Sequence, residues 1–308
     1  MRNNKTTLIM VIFFFMGLLV LFYPALSNYT NEKLQSKAIN DYEKIISKIE
    51  VKDYTDIFTK ADEYNQKLGR LNKPLISYPK LGDYKNIINV NGKGMMGYIT
   101  INKIKVELPI YAGTAGSTLD KAVGQLEGSS LPVGGLSVHS VLSAHRGLPS
   151  SKLFTDLDKL EIGDTFVVKV LDRTMTYEID QIIIVEPSNT DDLNIVEGED
   201  YVTLMTCTPY GINTHRMLVR GHRVENAKVK AYVSTQAFKI NRLVVTPLVC
   251  MPIVLIWFMY LMFKPIEKKV DYKLKYVYPT EYKEQKAKKK LKRLKEAEKL
   301  KNKKRGNK

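Results

Sequence analysis

Cysteine is almost absent from this 308-residue chain: it has two, Cys207 and Cys250. Cys250 lies inside a long apolar run, so Cys207 stands alone in the stretch between the two apolar segments, and no intramolecular disulfide can staple that stretch. No grouping of His, Cys, Asp and Glu has metal-ligand spacing, so neither a metal nor a cofactor is expected. No internal repeat is evident. Strong charge is also missing from most of the chain. The net charge is +16, but residues 264–308 hold 19 of the 48 basic residues and only 6 of the 32 acidic ones. The rest carries a small excess of about three positive charges, which argues against a nucleic-acid partner for the folded part.

Two uncharged runs frame that part. Leu8 to Leu26 follows Arg2 and Lys5, and Leu243 to Phe263 precedes Lys264, Lys268 and Lys269. A helix of about 20 apolar residues crosses a bilayer, and basic flanks stay in the cytoplasm. Both runs are therefore expected to span the cell membrane, with the intervening domain outside and a basic tail inside. Ala25-Leu26-Ser27 also fits a signal-peptidase site, so residues 1–29 read equally as a retained anchor or a removed signal peptide. The tail, with its lysines, suits contact with anionic membrane lipid at about 1 kcal/mol per basic residue near the surface. A membrane scaffold built on that tail is one reading of the whole chain.

Between the spans the pattern changes twice. Ile39, Tyr42, Ile45, Ile46 and Ile49 recur at helical spacing. A second helix is expected to start at Asp53 or Thr55 and to carry Phe58, Ala61, Tyr64, Leu68 and Leu71. Residues 72–94 are non-periodic and rich in Gly and Asn, which predicts a long, mobile loop. From Gly97 the alternation becomes that of strands, with further strands predicted at 137–144, 165–171, 174–185, 201–206, 216–223 and 227–233. Many short strands with few helices predict a mainly β fold, a closed β-barrel over residues 95–235 preceded by a helical region and loop over 30–94.

The chemistry centres on residues 201–223. Two β-rich runs flank a loop containing Pro209, Gly211 and Asn213, which predicts a hairpin. Cys207 ends the first strand, with Thr206 and Thr208 beside it, and Arg216 opens the second. A cation near a thiol lowers its pKa and makes a usable nucleophile. Burial is the alternative fate of a lone cysteine. Of four histidines, His145 stands at a strand-to-loop exit and suits acid–base work. His139, on the same strand line, reads as packing. His215 falls on the opposite face from Arg216, and His222 lies far along the strand. A papain-like hydrolase is a weaker fit, because its Cys-Gly-x-Cys-Trp pattern is missing.

Thr203-Leu204-Met205-Thr206-Cys207, followed nine positions later by Arg216, resembles the signature of sortases, the cysteine transpeptidases of Gram-positive cell surfaces. Leu126-Glu127-Gly128-Ser129-Ser130-Leu131-Pro132 and Ser143-Ala144-His145-Arg146-Gly147-Leu148-Pro149 resemble the pilin-polymerising class C, and the similarity runs from Asn31 to Arg223. The resemblance implies a sortase-type barrel with His145, Cys207 and Arg216 as catalytic residues and Thr206 orienting the site. It implies pilin subunits with C-terminal sorting signals as partners, with wall anchoring to a peptidoglycan precursor as the alternative. Class C lids carry an Asp-Pro-aromatic plug, which residues 72–94 lack. Tyr78 and Tyr84 are the candidate substitutes, and Cys207 is expected to be reachable at rest.

Overall fold

The structure, a computed structural model, describes residues 4–49, 51–90, 92–226, 256, 276 and 278–305. The chain enters through α1 (Asn4–Ile46), 43 residues that continue through Pro24. Its C-terminal part buries Ile39, Tyr42 and Ile46, three of the five residues read as an apolar stripe. Ser47 N–H bonds Glu43 O at 3.0 Å and Lys48 N–H bonds Ile45 O at 3.1 Å at the end of α1, and the chain continues into α2 (Val51–Gly69). This helix begins earlier than expected, so Asp53 and Thr55 lie inside it rather than capping it. Phe58, Ala61, Tyr64 and Leu68 are buried as the periodicity predicts.

Eight strands form a closed barrel: β1 (Met95–Ile101), β2 (Val106–Ala112), β3 (Val123–Gln125), β4 (Val138–Ser143), β5 (Thr165–Val170), β6 (Arg173–Val185), β7 (Asp200–Thr208) and β8 (His215–Val224). Around the barrel they run β1-β2-β3-β4-β7-β8-β6-β5. Closure occurs where β1 meets β5, and there the chain uses a glycine. A Cβ on Gly97 would stand 2.1 Å from the carbonyl oxygen of Lys169, a distance no side chain tolerates. The interior is filled by Ile99, Ile101, Ile110, Val168, Leu204 and Val219, with Phe166 stacked on Tyr177 at 5.5 Å. Burying each of these side chains stabilises the fold by about 1.5–3 kcal/mol.

The two helices are fastened to the barrel by buried polar side chains. Tyr42 donates its hydroxyl to Met96 O at 2.7 Å and accepts the Leu171 N–H at 2.9 Å. Asn65 exchanges two hydrogen bonds with the backbone of Leu131, at 2.7 and 3.1 Å. Burial pushes the Tyr42 phenol well above its ordinary range, so it serves as a neutral bridge.

Residues 72–94 are more ordered than a Gly- and Asn-rich loop suggests. Pro74 opens the short helix α3 (Pro74–Ser77), and a 3₁₀ turn follows over Tyr78–Leu81. Asp83 accepts the Lys85 N–H at 2.9 Å, and Asn89 accepts the Gly94 N–H at 2.7 Å. Asx side chains here tie the backbone down locally. A one-turn helix, α4 (Gly116–Leu119), links β2 to β3. The expected strand at 227–233 and the apolar run at 243–263 lie outside the described residues, apart from Ile256. The tail contains α5 (Pro279–Arg305), a strongly basic helix of 27 residues whose described side chains, over 279–296, are almost all exposed.

Candidate active site

Register assembles the site. β4 and β7 run parallel with one offset throughout, from Val138 against Asp200 to Ser143 against Met205, a shift of 62 residues. The pairing persists past the end of β4. Ala144 donates its N–H to Met205 O at 3.1 Å, and the Thr206 hydroxyl donates to Ala144 O at 2.8 Å. The same offset sets His145 beside Cys207. On the other side β8 is antiparallel to β7, and Cys207 faces Arg216 directly. Adjacent strands lie about 4.8 Å apart, so a histidine, a thiol and a guanidinium form one row across three strands.

Each member of the row retains free capacity. Cys207 is half-buried, at the end of β7. The His145 side chain is 36% exposed, and its Nε2 stands 4.0 Å from Asp120 Oδ1. Arg216 donates from Nη1 to the carbonyls of Asn213 and His215, at 3.3 and 3.1 Å. Among the described residues it has no carboxylate within ion-pair distance. Its positive charge is therefore not neutralised by a neighbour, which is what a developing oxyanion requires.

The loop after His145 is locked to the hairpin after Cys207. Arg146 reaches Asp158 at 2.5 Å and Thr208 Oγ1 at 3.3 Å, with its guanidinium 6.0 Å from the Tyr210 ring centre. Gly147 has a φ of +77°, and a Cβ there would meet the Tyr210 ring at 2.9 Å. Asp120, Arg146 and Tyr210 were not singled out from sequence. Arg146 had the signal of adjacency to His145, whereas Asp120 meets the site only through tertiary folding.

The other histidines are placed as strand parity requires. His139 is 1% exposed, with Nδ1 2.7 Å from Asn194 O and Nε2 2.7 Å from Thr203 Oγ1. Burial lowers its pKa, so both ring nitrogens are used in a neutral, structural role. His215 pairs with Thr208, one step out of phase with the Cys207 row. His222 lies beside Asp180 at 3.9 Å, six residues along β8 from Arg216.

The Cys207 face of the sheet continues into an apolar floor. Val141, Leu193 and Leu218 form a buried cluster, with Met205, Ile183 and Leu75 packed on it. Leu75 comes from α3, so the 72–94 loop does cross this face. Tyr84 does not act there as a substitute plug: it is 3% exposed and its ring stacks on Tyr64 at 5.7 Å, inside the main core. Tyr78 is partly buried, edge-on to Tyr84 at 6.2 Å, with its ring beside Gly128. Of residues 72–94, it is Leu75, from α3, that packs on the apolar cluster of this face.

A thiol, an imidazole and a guanidinium brought into one row are the groups that acyl transfer requires. Comparison with known proteins agrees. A Sortase domain matches residues 99–224. Sortase C1 of Streptococcus agalactiae is 49% identical over 62% of this chain and 100% of that structure, with a TM-score of 0.58. A Clostridium perfringens sortase C structure, with the C-terminal cell wall sorting motif, is 42% identical over 62% of this chain and 99% of that one, at 0.55. Sortase D of Bacillus subtilis is 32% identical over 131 residues, and the match spans 63% of its length, less than two thirds. Barrel and relatives coincide, and the chain belongs to the sortase family of cysteine transpeptidases, with sortases C among its solved neighbours.

Proposed function

We propose that this sortase polymerises pilins. The observation that carries the reading is the row His145–Cys207–Arg216, set by two strand registers in a barrel similar to sortases C. Cys207 attacks the threonine carbonyl of a Leu-Pro-x-Thr-Gly-like signal, and the carbonyl oxygen takes up negative charge beside Arg216. Collapse breaks the Thr–Gly bond, with His145 giving its proton to the departing glycine amine. A lysine amine of the next pilin loses a proton to His145 and attacks the thioester, leaving an isopeptide bond and a free thiol. Thr206, through its bond to Ala144 O, holds the exit of β4 against β7 and so positions His145.

The proposed arrangement has residues 1–29 as anchor or signal and the region 30–235 outside the cell. Residues 243–263 form a second span, and 264–308 lie in the cytoplasm against anionic lipid. α1 is long and apolar enough to cross a bilayer from Ile12 onward, which supports the first element. Incubating the enzyme with a sorting-signal peptide and a lysine-bearing pilin tests the proposal. Trapped acyl-enzyme on Cys207 followed by a pilin–pilin isopeptide product is expected. Transfer to a peptidoglycan-precursor amine, with the pilin lysine ignored, would instead favour wall anchoring.

A further inference from the structure

α1 changes its surroundings along its length. Phe13, Leu19, Val20 and Leu21 are 67–74% exposed, whereas Ile39 and Tyr42 are buried against the barrel. Between these parts stand three polar residues, each bonded to the rim that carries His145. Asn28 Oδ1 accepts the Lys152 N–H at 2.8 Å, and Asn31 Nδ2 donates to Ser150 O at 2.8 Å. Gln35 Nε2 donates to Lys121 O at 2.8 Å and lies 3.3 Å from Ser151 Oγ. Residues 150–152 belong to the loop that leaves His145 and returns, through the Phe154 N–H, to His145 O at 3.2 Å. Lys121 follows Asp120, the carboxylate that faces His145. One helix thus grips the segments on both sides of the catalytic histidine.

The grip begins almost where the apolar stretch ends. From Leu26 to Asn31 is about 8 Å at 1.5 Å per residue. Tyr23 and Tyr29 bracket this point and are exposed, with Lys33 Nζ 4.7 Å from the Tyr29 ring centre. Aromatic and basic residues of this kind favour the interface between lipid and water. The same rim carries the hairpin between β7 and β8, whose Tyr210 and Ile212 are 60% and 69% exposed. Leu136, 81% exposed, precedes the start of β4 at the other end of the barrel, roughly 25–30 Å from His145 at about 3.3 Å per strand residue.

We propose that the catalytic end of the barrel rests on the lipid headgroup layer, with Tyr210 and Ile212 in contact with it. Cys207 then works within the first layer above the bilayer, on chains that are themselves emerging from it. This rests on α1 being a membrane anchor, as proposed above. An uninterrupted helix with side-chain bonds to the rim fixes the orientation, which a flexible tether would leave random. Tyr210 and Ile212, exposed together on this hairpin, suit a phospholipid surface, where aromatic and apolar tips enter the headgroup layer.

The test uses the full chain in vesicles of phosphatidylcholine and phosphatidylglycerol. The single native tryptophan is removed by Trp257→Phe. One tryptophan is then introduced by Leu19→Trp, Ile212→Trp or Leu136→Trp, and its quenching by lipids brominated at shallow or deep positions is recorded. The expected result is loss of emission at 19 to deep bromines, loss at 212 to shallow bromines only, and none at 136. No quenching at 19 would remove the anchor reading and this inference with it. Quenching at 19 with 212 as silent as 136 would overturn the orientation while leaving the anchor in place. Unquenched 212 that becomes protected only on adding a soluble pilin would assign the hairpin to protein contact and equally overturn the lipid assignment.

Discussion

The Cys207 face of the sheet carries the same kind of trio twice. Near its end lie His145, Cys207 and Arg216; four residues back along β7, Thr203 faces Arg220 and is bonded by His139, which itself pairs with Tyr201. The back trio is saturated. His139 uses both nitrogens, Thr203 holds one of them, and Arg220 is bidentate to Asp180 at 3.0 and 3.1 Å with its guanidinium 4.4 Å from the Tyr201 ring centre. The front trio keeps its donors and acceptors largely unspent. Residue type is shared, and what separates structure from chemistry is hydrogen-bonding capacity left for a substrate.

The comparison breaks most visibly at the thiol. Cys207→Ala is expected to abolish acyl-enzyme formation and pilin joining with no loss of Tm, and His145→Ala to match it. Residual polymer from Cys207→Ala would place the nucleophile elsewhere. Next in size is Arg216→Lys, which keeps the charge and loses the planar fork. Removing an oxyanion donor costs about 3–4 kcal/mol, so turnover should fall by roughly 10²–10³ with KM little changed. Arg220→Lys should keep turnover and cost only about 1 kcal/mol of stability, since the pair with Asp180 is partly exposed. Equal losses in the two arginine variants would show that the trios do not differ in the way their bonding suggests.

A smaller effect is expected at the loop. Gly and Asn content suggested an open thiol, yet Leu75 packs on the floor that leads to Cys207. Uncovering one leucine costs about 1.5 kcal/mol, which corresponds to roughly a tenfold change in the open population. Leu75→Ser is expected to speed labelling of Cys207 by a small thiol reagent by about that factor. Identical rates in the variant and the parent protein would mean that the thiol is open at rest. Smallest in chemistry is His139→Ala: turnover stays, while the unpaired Asn194 carbonyl and Thr203 hydroxyl cost about 3 kcal/mol. A domain of this size then melts roughly 6–12 °C lower.

The front row was legible because it is made of local patterns. A strand-ending cysteine, an arginine across a short hairpin and a histidine at another strand exit are each visible without tertiary information. Side-chain parity correctly separated His215 from Arg216, because β8 is regular there. Strand β3 was not read, since three residues are too few to alternate. The unbroken run of α1 was also missed: its apolar first half and striped second half follow different patterns within one helix. Leu75 escaped notice because its meaning lies wholly in what it touches.

The registers have a further consequence for how such a chain can vary over evolutionary time. β7 is clamped on both sides, by β4 and by β8, and β8 is held in turn by β6. Insertions in the loop at 209–214 or among residues 186–199 leave those ladders intact, so Cys207 still meets Arg216 and His145. A single residue inserted within β7 between Thr203 and Cys207 would turn the thiol toward the barrel interior, because side chains alternate with a period of two. Changes of length are accommodated in the connections and disrupt the register within the strands, so the loops can vary while Cys207, Arg216 and His145 stay aligned.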